Sequence, residues 1–342
     1  MNDPRDPLIC TDLERRCRRL LEDLGLAGAD ALISVQPLTG GVASDIARID
    51  LGSQTWCAKF ALAKLRVKAD WFAPVHRNAA EYEWLNRAAL VVPGHVPRLF
   101  GRSARENGFV MEFLQGSDIA LWKAMLLAGR PPAGEAARVA DVLGPIHAAS
   151  AKPGFDRSPF QNRDDFRALR LEPYLSFTAS RHPDLAQRFA ALEQGLYHAD
   201  QVLVHGDVSP KNILFRSGAP ILLDAECATM GDAAFDLAFC LNHLLLKAVH
   251  LPQNRAALLG EIAAFWAAYR PHVAWEDPVA LEARVAALLP ALMLARVDGK
   301  SPVDYLGEPH RSLVRRVARP LIAKPSATLA AMVAAVAEGA GP

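Results

Sequence analysis

The sequence predicts an α+β fold, with a small strand-rich part over residues 1–114 and a large, mostly helical part over 115–342. Three observations predict it. Short alternating runs separated by Gly turns recur before residue 114, whereas apolar residues at helical spacing dominate after it. One short β-like stretch, 201–223, interrupts the helices. The chain of 342 residues is long for one compact domain, and its 51% hydrophobic and 22% charged residues supply a sizeable core.

In order along the chain, residues 12–24 show helical spacing, with Thr11 or Asp12 as cap. Residues 33–37 read as a strand. The small-residue turn Thr39-Gly40-Gly41-Val42-Ala43-Ser44 follows, then strands over 46–51 and 54–62 joined at Gly52-Ser53. A helix over 78–90 stops at Pro93-Gly94, and 96–100 and 109–114 are two further strands. Beyond Gly116 the spacing predicts helices over 119–127, 134–150, 164–177 and 183–197. Helices resume over 233–249, 255–269, 278–296 and from 311, with an alanine-rich last helix over 327–337.

Composition removes several classes. A formal net charge of +1 gives no basic footprint for nucleic acid or an anionic membrane. The five cysteines are scattered and form no CxxC pair, as expected of reduced thiols in the cytoplasm. The N-terminus carries Asp3, Arg5 and Asp6 and no long apolar run, unlike a signal peptide. The apolar stretches at 233–246 and 286–295 are interrupted or short, and read as buried helices.

The chemistry concentrates in Val202-Leu203-Val204-His205-Gly206-Asp207 and the following Asn212, Ile213–Phe215, Ile221–Leu223 and Asp224. If the flanks pair as a hairpin with Phe215 opposite Ile221, then Asn212 faces Asp224. An amide oxygen and a carboxylate at one end of a ribbon make a hard-oxygen site for Mg²⁺ held together with phosphates. Asp207, on the loop leading in, can orient and accept the proton of an attacking hydroxyl, while His205 braces the loop by hydrogen bonds. Lys59 lies inside an apolar strand, where an ammonium needs a partner. ATP phosphates and a helical glutamate, Glu81 or alternatively Glu83, supply one. Gly40, Gly41 and Ser44 fit a loop covering phosphates. Backbone groups from Glu112 to Leu114 fit an adenine-binding edge.

The run His205-Gly206-Asp207…Asn212, Asp224-Ala225-Glu226, Gly231-Asp232 and Asp236-Leu237-Ala238 resembles the aminoglycoside phosphotransferase superfamily, which includes choline/ethanolamine and methylthioribose kinases. The resemblance implies a bilobal protein-kinase-like fold with ATP in the interlobe cleft. It implies Asp207 as catalytic base, Asn212 and Asp224 as Mg²⁺ ligands, and Asp236 as a buried brace of the catalytic loop. Glu226 is similar to the second acid of the Asp-x-Glu of choline kinases, which implies a metal ligand, direct or through water. Eleven residues separate Asp224 from Asp236, too few for a peptide platform, so a small-molecule acceptor is expected.

The expected activity is therefore ATP- and Mg²⁺-dependent phosphorylation of a small-molecule hydroxyl, on a sugar or amino alcohol, by a cytoplasmic monomer or homodimer with no nucleic-acid or membrane partner. Two alternatives stand beside it: an aminoglycoside-modifying enzyme and a non-catalytic nucleotide-binding scaffold. Regions 116–200 (ten basic, ten acidic) and 241–342 (eleven basic, eight acidic) lack the acidic excess a polycationic antibiotic wants. The polar turn after residue 295 offers Arg296, Asp298 and Lys300 as groups reaching the acceptor or the transferring phosphate, against the competing account of helix capping and a solvated turn.

Overall fold

The structure, a computed structural model, describes residues 7–28, 31–38, 43–66 and 72–340. The chain divides into two compact units, Met1–Ser117 and Asp118–Pro342.

The first unit is an antiparallel five-stranded sheet of order β1-β2-β3-β5-β4. Its strands are β1 Ser34–Pro37, β2 Ser44–Asp50, β3 Thr55–Ala61, β4 Leu99–Ser103 and β5 Gly108–Glu112. Helix α1, Pro7–Asp23, starts five residues before the expected 12, and Leu13, Cys17, Leu20 and Leu21 pack on one face of the sheet with Trp56, Ala58 and Phe60. Strand alternation sends the intervening Lys59 to the other face. Helix α2, Arg77–Val91, buries Glu81, Trp84 and Leu85. The turn residues Gly40 and Gly41, expected to cover phosphates, lie outside the described residues.

The second unit is helical around two small sheets. Strands β6 Ile119–Leu121, β8 Ile213–Arg216 and β9 Ala219–Leu222 form one, and β7 Val202–Val204 with β10 Thr229–Gly231 the other. The expected helix over 119–127 is corrected in its first turn: residues 119–121 pair with β8, and helix α3 is Trp122–Leu127. The β-branched Ile119 and a ladder partner outweigh the helical periodicity. Helix α4, Glu135–Ser150, precedes a continuous helical segment made of α5 Arg163–Phe166, a π-helical stretch Arg167–Ser176 and α6 Phe177–Arg181. Pro173 sits in the π stretch and has no N–H to give a normal ladder bond; Phe177 N–H reaches Glu172 O, five residues back. Helix α7 is Ala186–His198.

The hairpin β8–β9 corrects the expected register by one residue. Leu214, not Phe215, faces Ile221, and Ile213 faces Leu222. The connection is the two-residue turn Ser217-Gly218, with φ of 50° and 83°, rather than the longer polar loop that the sequence implied. Two positive φ values match the right-handed twist of a tight hairpin, and Ser217 is an unobvious occupant of the first position. In consequence Asn212 lies opposite Leu223, whose N–H donates to Asn212 O at 2.9 Å, and Asp224 is the next residue, in left-handed backbone at φ 69°.

Helices α8 Ala233–His250, α9 Arg255–Tyr269, α10 Pro278–Asp298, α11 Glu308–Ala323 and α12 Leu329–Ala340 complete the unit. Asp232 caps α8 by accepting from Ala234 N–H at 2.9 Å, and Arg284 pairs with it at 2.6 Å. Helix α10 is longer than its apolar stretch. By length and composition it is able to cross a bilayer, but 61% of its apolar window is buried against the rest of the unit, which marks a core helix.

Candidate active site

Strand β7 runs His205-Gly206-Asp207 into a buried loop, and a carboxylate on α8 anchors that loop. Asp236, wholly buried, accepts from His205 N–H at 2.6 Å and Gly206 N–H at 2.8 Å. It also meets His147 Nε2 at 3.2 Å, and His147 Nδ1 meets the Tyr269 hydroxyl at 2.6 Å. A carboxylate only accepts, so Nε2 carries the proton and Nδ1 accepts from Tyr269. Gly206 has φ 77°, and a Cβ there would stand 2.8 Å from both Cβ and O of Cys227, so only glycine fits.

His205 is held as a neutral imidazole. Its Nδ1 accepts from Asp207 N–H at 3.1 Å and its Nε2–H donates to Leu223 O at 3.0 Å. Burial pushes its pKa below the ordinary value. Both nitrogens are committed to backbone, so His205 shapes the loop and joins it to the β9 end.

Asp207 is 2% exposed, and two cations meet its Oδ2: Arg170 Nη2 at 2.9 Å and Lys211 Nζ at 3.0 Å. Burial opposes its ionisation, but Lys211 and Arg170 outweigh burial and hold its pKa below the ordinary 3.8. Arg170 comes from the π-helical stretch and also donates through Nε to Gly206 O at 2.6 Å. Burial, the first influence on Arg170, disfavours its charge, yet the neighbouring Cys227 and Asp207 leave it more firmly protonated than usual. Neither Arg170 nor Lys211 was legible as a site residue. Lys211 had a signal, at four positions beyond Asp207 on the same loop. Arg170 had none, because its approach depends on tertiary packing.

Asn212 is buried, its Nδ2 donates to Asp207 O at 3.0 Å and its N–H to Ser209 O at 2.8 Å. The amide oxygen is thereby turned away from Asp207's backbone. Asp224 lies close enough to Asp207, His205 and Lys211 to act on the ionisation of all three. Glu226 is buried and acts on Arg170 and Cys227. Among the described residues, no group of three His, Cys, Asp or Glu is gathered to hold a metal alone. One amide and two carboxylates are hard oxygen donors that suit Mg²⁺, which takes its other positions from water and phosphate oxygens, and not a closed metal cage.

In the first unit, Lys59 Nζ lies 2.6 Å from Glu81 Oε1, with side-chain exposures of 3% and 2%. Glu81, and not Glu83, is the partner. Ser44 is buried and opens β2 opposite Ala61. Arg77, which the sequence reading passed over, is 1% exposed and holds the backbone beside Ser44: it donates to Pro74 O and Leu62 O at 2.8 Å each, and to Ala43 O. Glu112 ends β5. Its N–H donates to Arg98 O at 2.8 Å and its carboxylate accepts from Arg98 N–H at 3.2 Å. The amide of Glu112 is therefore spent on the sheet, and among the residues expected at this edge only Phe113 and Leu114 lie beyond the strand.

The polar turn after α10 divides. Asp298 is 5% exposed and held by Arg315 at 2.8 Å and His182 at 2.9 Å, and those partners, against the burial that opposes ionisation, keep its pKa low. It ties α10 to α11 through Arg315. Lys300 is exposed, with Nζ 5.8 Å from the Phe177 ring centre. Arg296 points inward, with Nη1 on Ser301 O, on Ser301 Oγ at 3.0 Å and on the Tyr174 hydroxyl at 3.1 Å.

A sheet-borne lysine–glutamate pair and a β-delivered His-Gly-Asp loop braced from a helix define a kinase-like phosphotransferase scaffold. The family model of the phosphotransferase enzyme family matches residues 34–258, and the chain belongs to that family. No curated protein matches the sequence. Among solved structures the chain is similar to a choline/ethanolamine kinase family protein from Mesorhizobium loti, at 18% identity and a TM-score of 0.56, over 96% of this chain and 99% of that one. It is similar to amicoumacin kinase hAmiN in complex with AMP-PNP, Ca²⁺ and Ami, at 16% identity and a TM-score of 0.57, over 93% and 97%. It is also similar to an ethanolamine kinase from Plasmodium vivax, at 12% identity and a TM-score of 0.52, over 99% and 95%. At these identities the likeness is one of fold.

Proposed function

We propose that the protein is an ATP-dependent O-phosphotransferase that moves the γ-phosphoryl group to a hydroxyl of a small molecule of sugar or amino-alcohol type. The observation that carries the reading is Asp207, a buried carboxylate kept ionised by Arg170 and Lys211 on a loop locked by Asp236. Both ion pairs fall on Oδ2, which leaves Oδ1 to receive an acceptor hydroxyl. A carboxylate of depressed pKa is a weak base. It orients the hydroxyl and takes its proton late, as suits a loose phosphoryl transfer in which positioning does most of the work.

In this reading Lys59, oriented by Glu81, holds ATP phosphates, and Ser44 with Gly40 and Gly41 supplies hydrogen-bond donors to them. The backbone at 113–114 meets the adenine. Asn212 and Asp224 are the Mg²⁺ ligands, with Glu226 adding charge beside them. Mg²⁺, when bound, neutralises the charge on the phosphate oxygens. The acceptor oxygen forms the new bond to the γ-phosphorus and the bond to the β–γ bridging oxygen breaks. ADP leaves, and the hydroxyl proton passes to Asp207 and on to solvent. A cytoplasmic location, where ATP is supplied, is part of this proposal.

Asp207→Asn is the test. An amide retains an oxygen for Arg170 and Lys211 and loses the charge that takes the proton. ADP release coupled to acceptor should fall by about 10²- to 10⁴-fold, with magnesium-dependent ATP binding retained. Full activity in this variant would remove Asp207 from the chemistry.

A further inference from the structure

We propose that the acceptor is an anion: a hydroxyl compound carrying a carboxylate or phosphate group, held by Lys247 and Arg296. The inference rests on the phosphotransferase reading and narrows its acceptor class.

Helix α8 presents Phe239, His243 and Lys247 four residues apart, on one face. Phe239 packs against Arg170, which pairs with Asp207, and against Tyr174 and His243. Tyr174 in turn lies under the Arg296 guanidinium. The stripe therefore runs from the candidate catalytic carboxylate to Lys247, and Arg296 stands beside it.

Lys247 is 1% exposed. Its Nζ has one hydrogen bond, at 3.5 Å, to His243 O one turn back on its own helix, and it sits 5.1 Å from the Tyr305 ring centre. Arg296 is bonded to a carbonyl and two hydroxyls, while its Nε and the Tyr305 hydroxyl are buried without a hydrogen-bond partner. Nearby carboxylates are engaged elsewhere: Asp207 with Arg170 and Lys211, and Asp304 with Lys123. Among the described residues neither Lys247 nor Arg296 is held in an ion pair, and Asp304, paired with Lys123, acts on both only from the exposed side.

A buried lone ammonium destabilises a fold unless something repays it. Burial, then the charges of Lys123 and Arg296, press the Lys247 pKa down to about 7. The same surroundings, burial first and then Arg296 and Lys247, hold His243 well below its ordinary value. An anionic group placed against Lys247 and Arg296 removes this conflict and gives each cation a charge-assisted hydrogen bond. Choline, ethanolamine or an aminoglycoside would add a cation to a region already in positive excess. The chemistry selects sugar-type acceptors that carry an acid over amino alcohols.

The test is coupled ADP release on matched compounds, ribose against ribonate and ribose 5-phosphate, with choline and kanamycin as cations, in the wild type and in Lys247→Met. Ribonate and ribose 5-phosphate separate a carboxylate from a phosphate source. The expected result is a kcat/KM for at least one anion that exceeds that for ribose by roughly ten- to a hundredfold, with Lys247→Met erasing the difference and leaving the KM for ATP unchanged. Methionine fills the volume of the lysine stem, so the same variant should melt no lower than wild type, as a purely structural lysine would not. Two results overturn the proposal: neutral or cationic acceptors used as well as the anions, or an anion preference intact in Lys247→Met. If such transfer is still lost in Asp207→Asn, the phosphotransferase reading stands alone. Magnesium-dependent ATP binding with transfer to none of these compounds overturns both.

Discussion

Removal of the Asp236 carboxylate probes the loop most directly. In Asp236→Ala, the N–H groups of His205 and Gly206 lose an ionic acceptor at 2.6 and 2.8 Å, and His147 Nε2 loses its partner at 3.2 Å. All three lie where water has no access, since Asp236 and His147 are both 0% exposed. A hydrogen bond to a charged group is worth about 1.5–3 kcal/mol, and a stranded buried donor costs about 1–3 kcal/mol. These bonds share one carboxylate and do not add fully, so the loss should be about 3–5 kcal/mol, comparable to breaking a buried ion pair. Asp236→Asn keeps one acceptor oxygen and turns an NH₂ toward a donor, for a loss of about 2–3 kcal/mol. Urea denaturation followed by far-UV circular dichroism reads the stability, and coupled ADP release reads turnover. Because the carboxylate never touches substrate, kcat should fall with loop order while the KM for ATP holds. An Asp236→Ala protein within about 1 kcal/mol of wild type would refute the reasoning, since it would mean that the loop amides had found other partners.

Two further outcomes follow from charge pairing. Lys59→Met removes the buried cation that Glu81, at 2% exposure, meets at 2.6 Å and should cost about 3–5 kcal/mol, whereas Lys59→Met with Glu81→Met should recover most of that stability and none of the activity; thermal melts and ADP release on the two proteins separate the effects. For Asp207 the folded pKa lies below its value in the unfolded chain, so its ion pairs add stability that is fully present above about pH 4 and lost as pH falls through the folded value. The melting-temperature difference between wild type and Asp207→Asn should therefore shrink as pH is lowered from about 5 toward 2, and a constant difference would disprove the linkage.

The strand-rich and helical parts were legible because periodicity is local, and the His-Gly-Asp run was legible because glycine, carboxylate and amide stand at short fixed spacing. Lys59 was legible as an anomaly, an ammonium inside an apolar strand. What the sequence hid had non-local causes. The β6 strand depends on β8 as a partner. The hairpin register turned on Ser217 adopting positive φ, a conformation that composition does not announce. Arg170 and Arg77 are arginines on helices, indistinguishable in sequence from the exposed Arg188, yet they bond the His-Gly-Asp loop and the backbone at the β2–β3 end. The ties of Asp298 to Arg315 and His182 were hidden because a polar turn looks alike whether it faces ligand or another helix.

Burial alone therefore does not sort functional charges from structural ones; the partner does. Asp298 is buried and satisfied by Arg315 and His182, and Asp232 by Arg284, so each explains itself as a tie between elements. Asp207 is satisfied on one oxygen and Lys247 by one long bond to its own helix backbone. A fold keeps such half-satisfied charge at a cost of stability, and the cost is recovered only when a ligand arrives. On that argument the proposed acceptor would bridge the two residues, its hydroxyl at Asp207 and its anionic end at Lys247. A bound anion should then raise the melting temperature of wild type more than that of Lys247→Met. Equal stabilisation of the two proteins by ribose 5-phosphate would break the link between them.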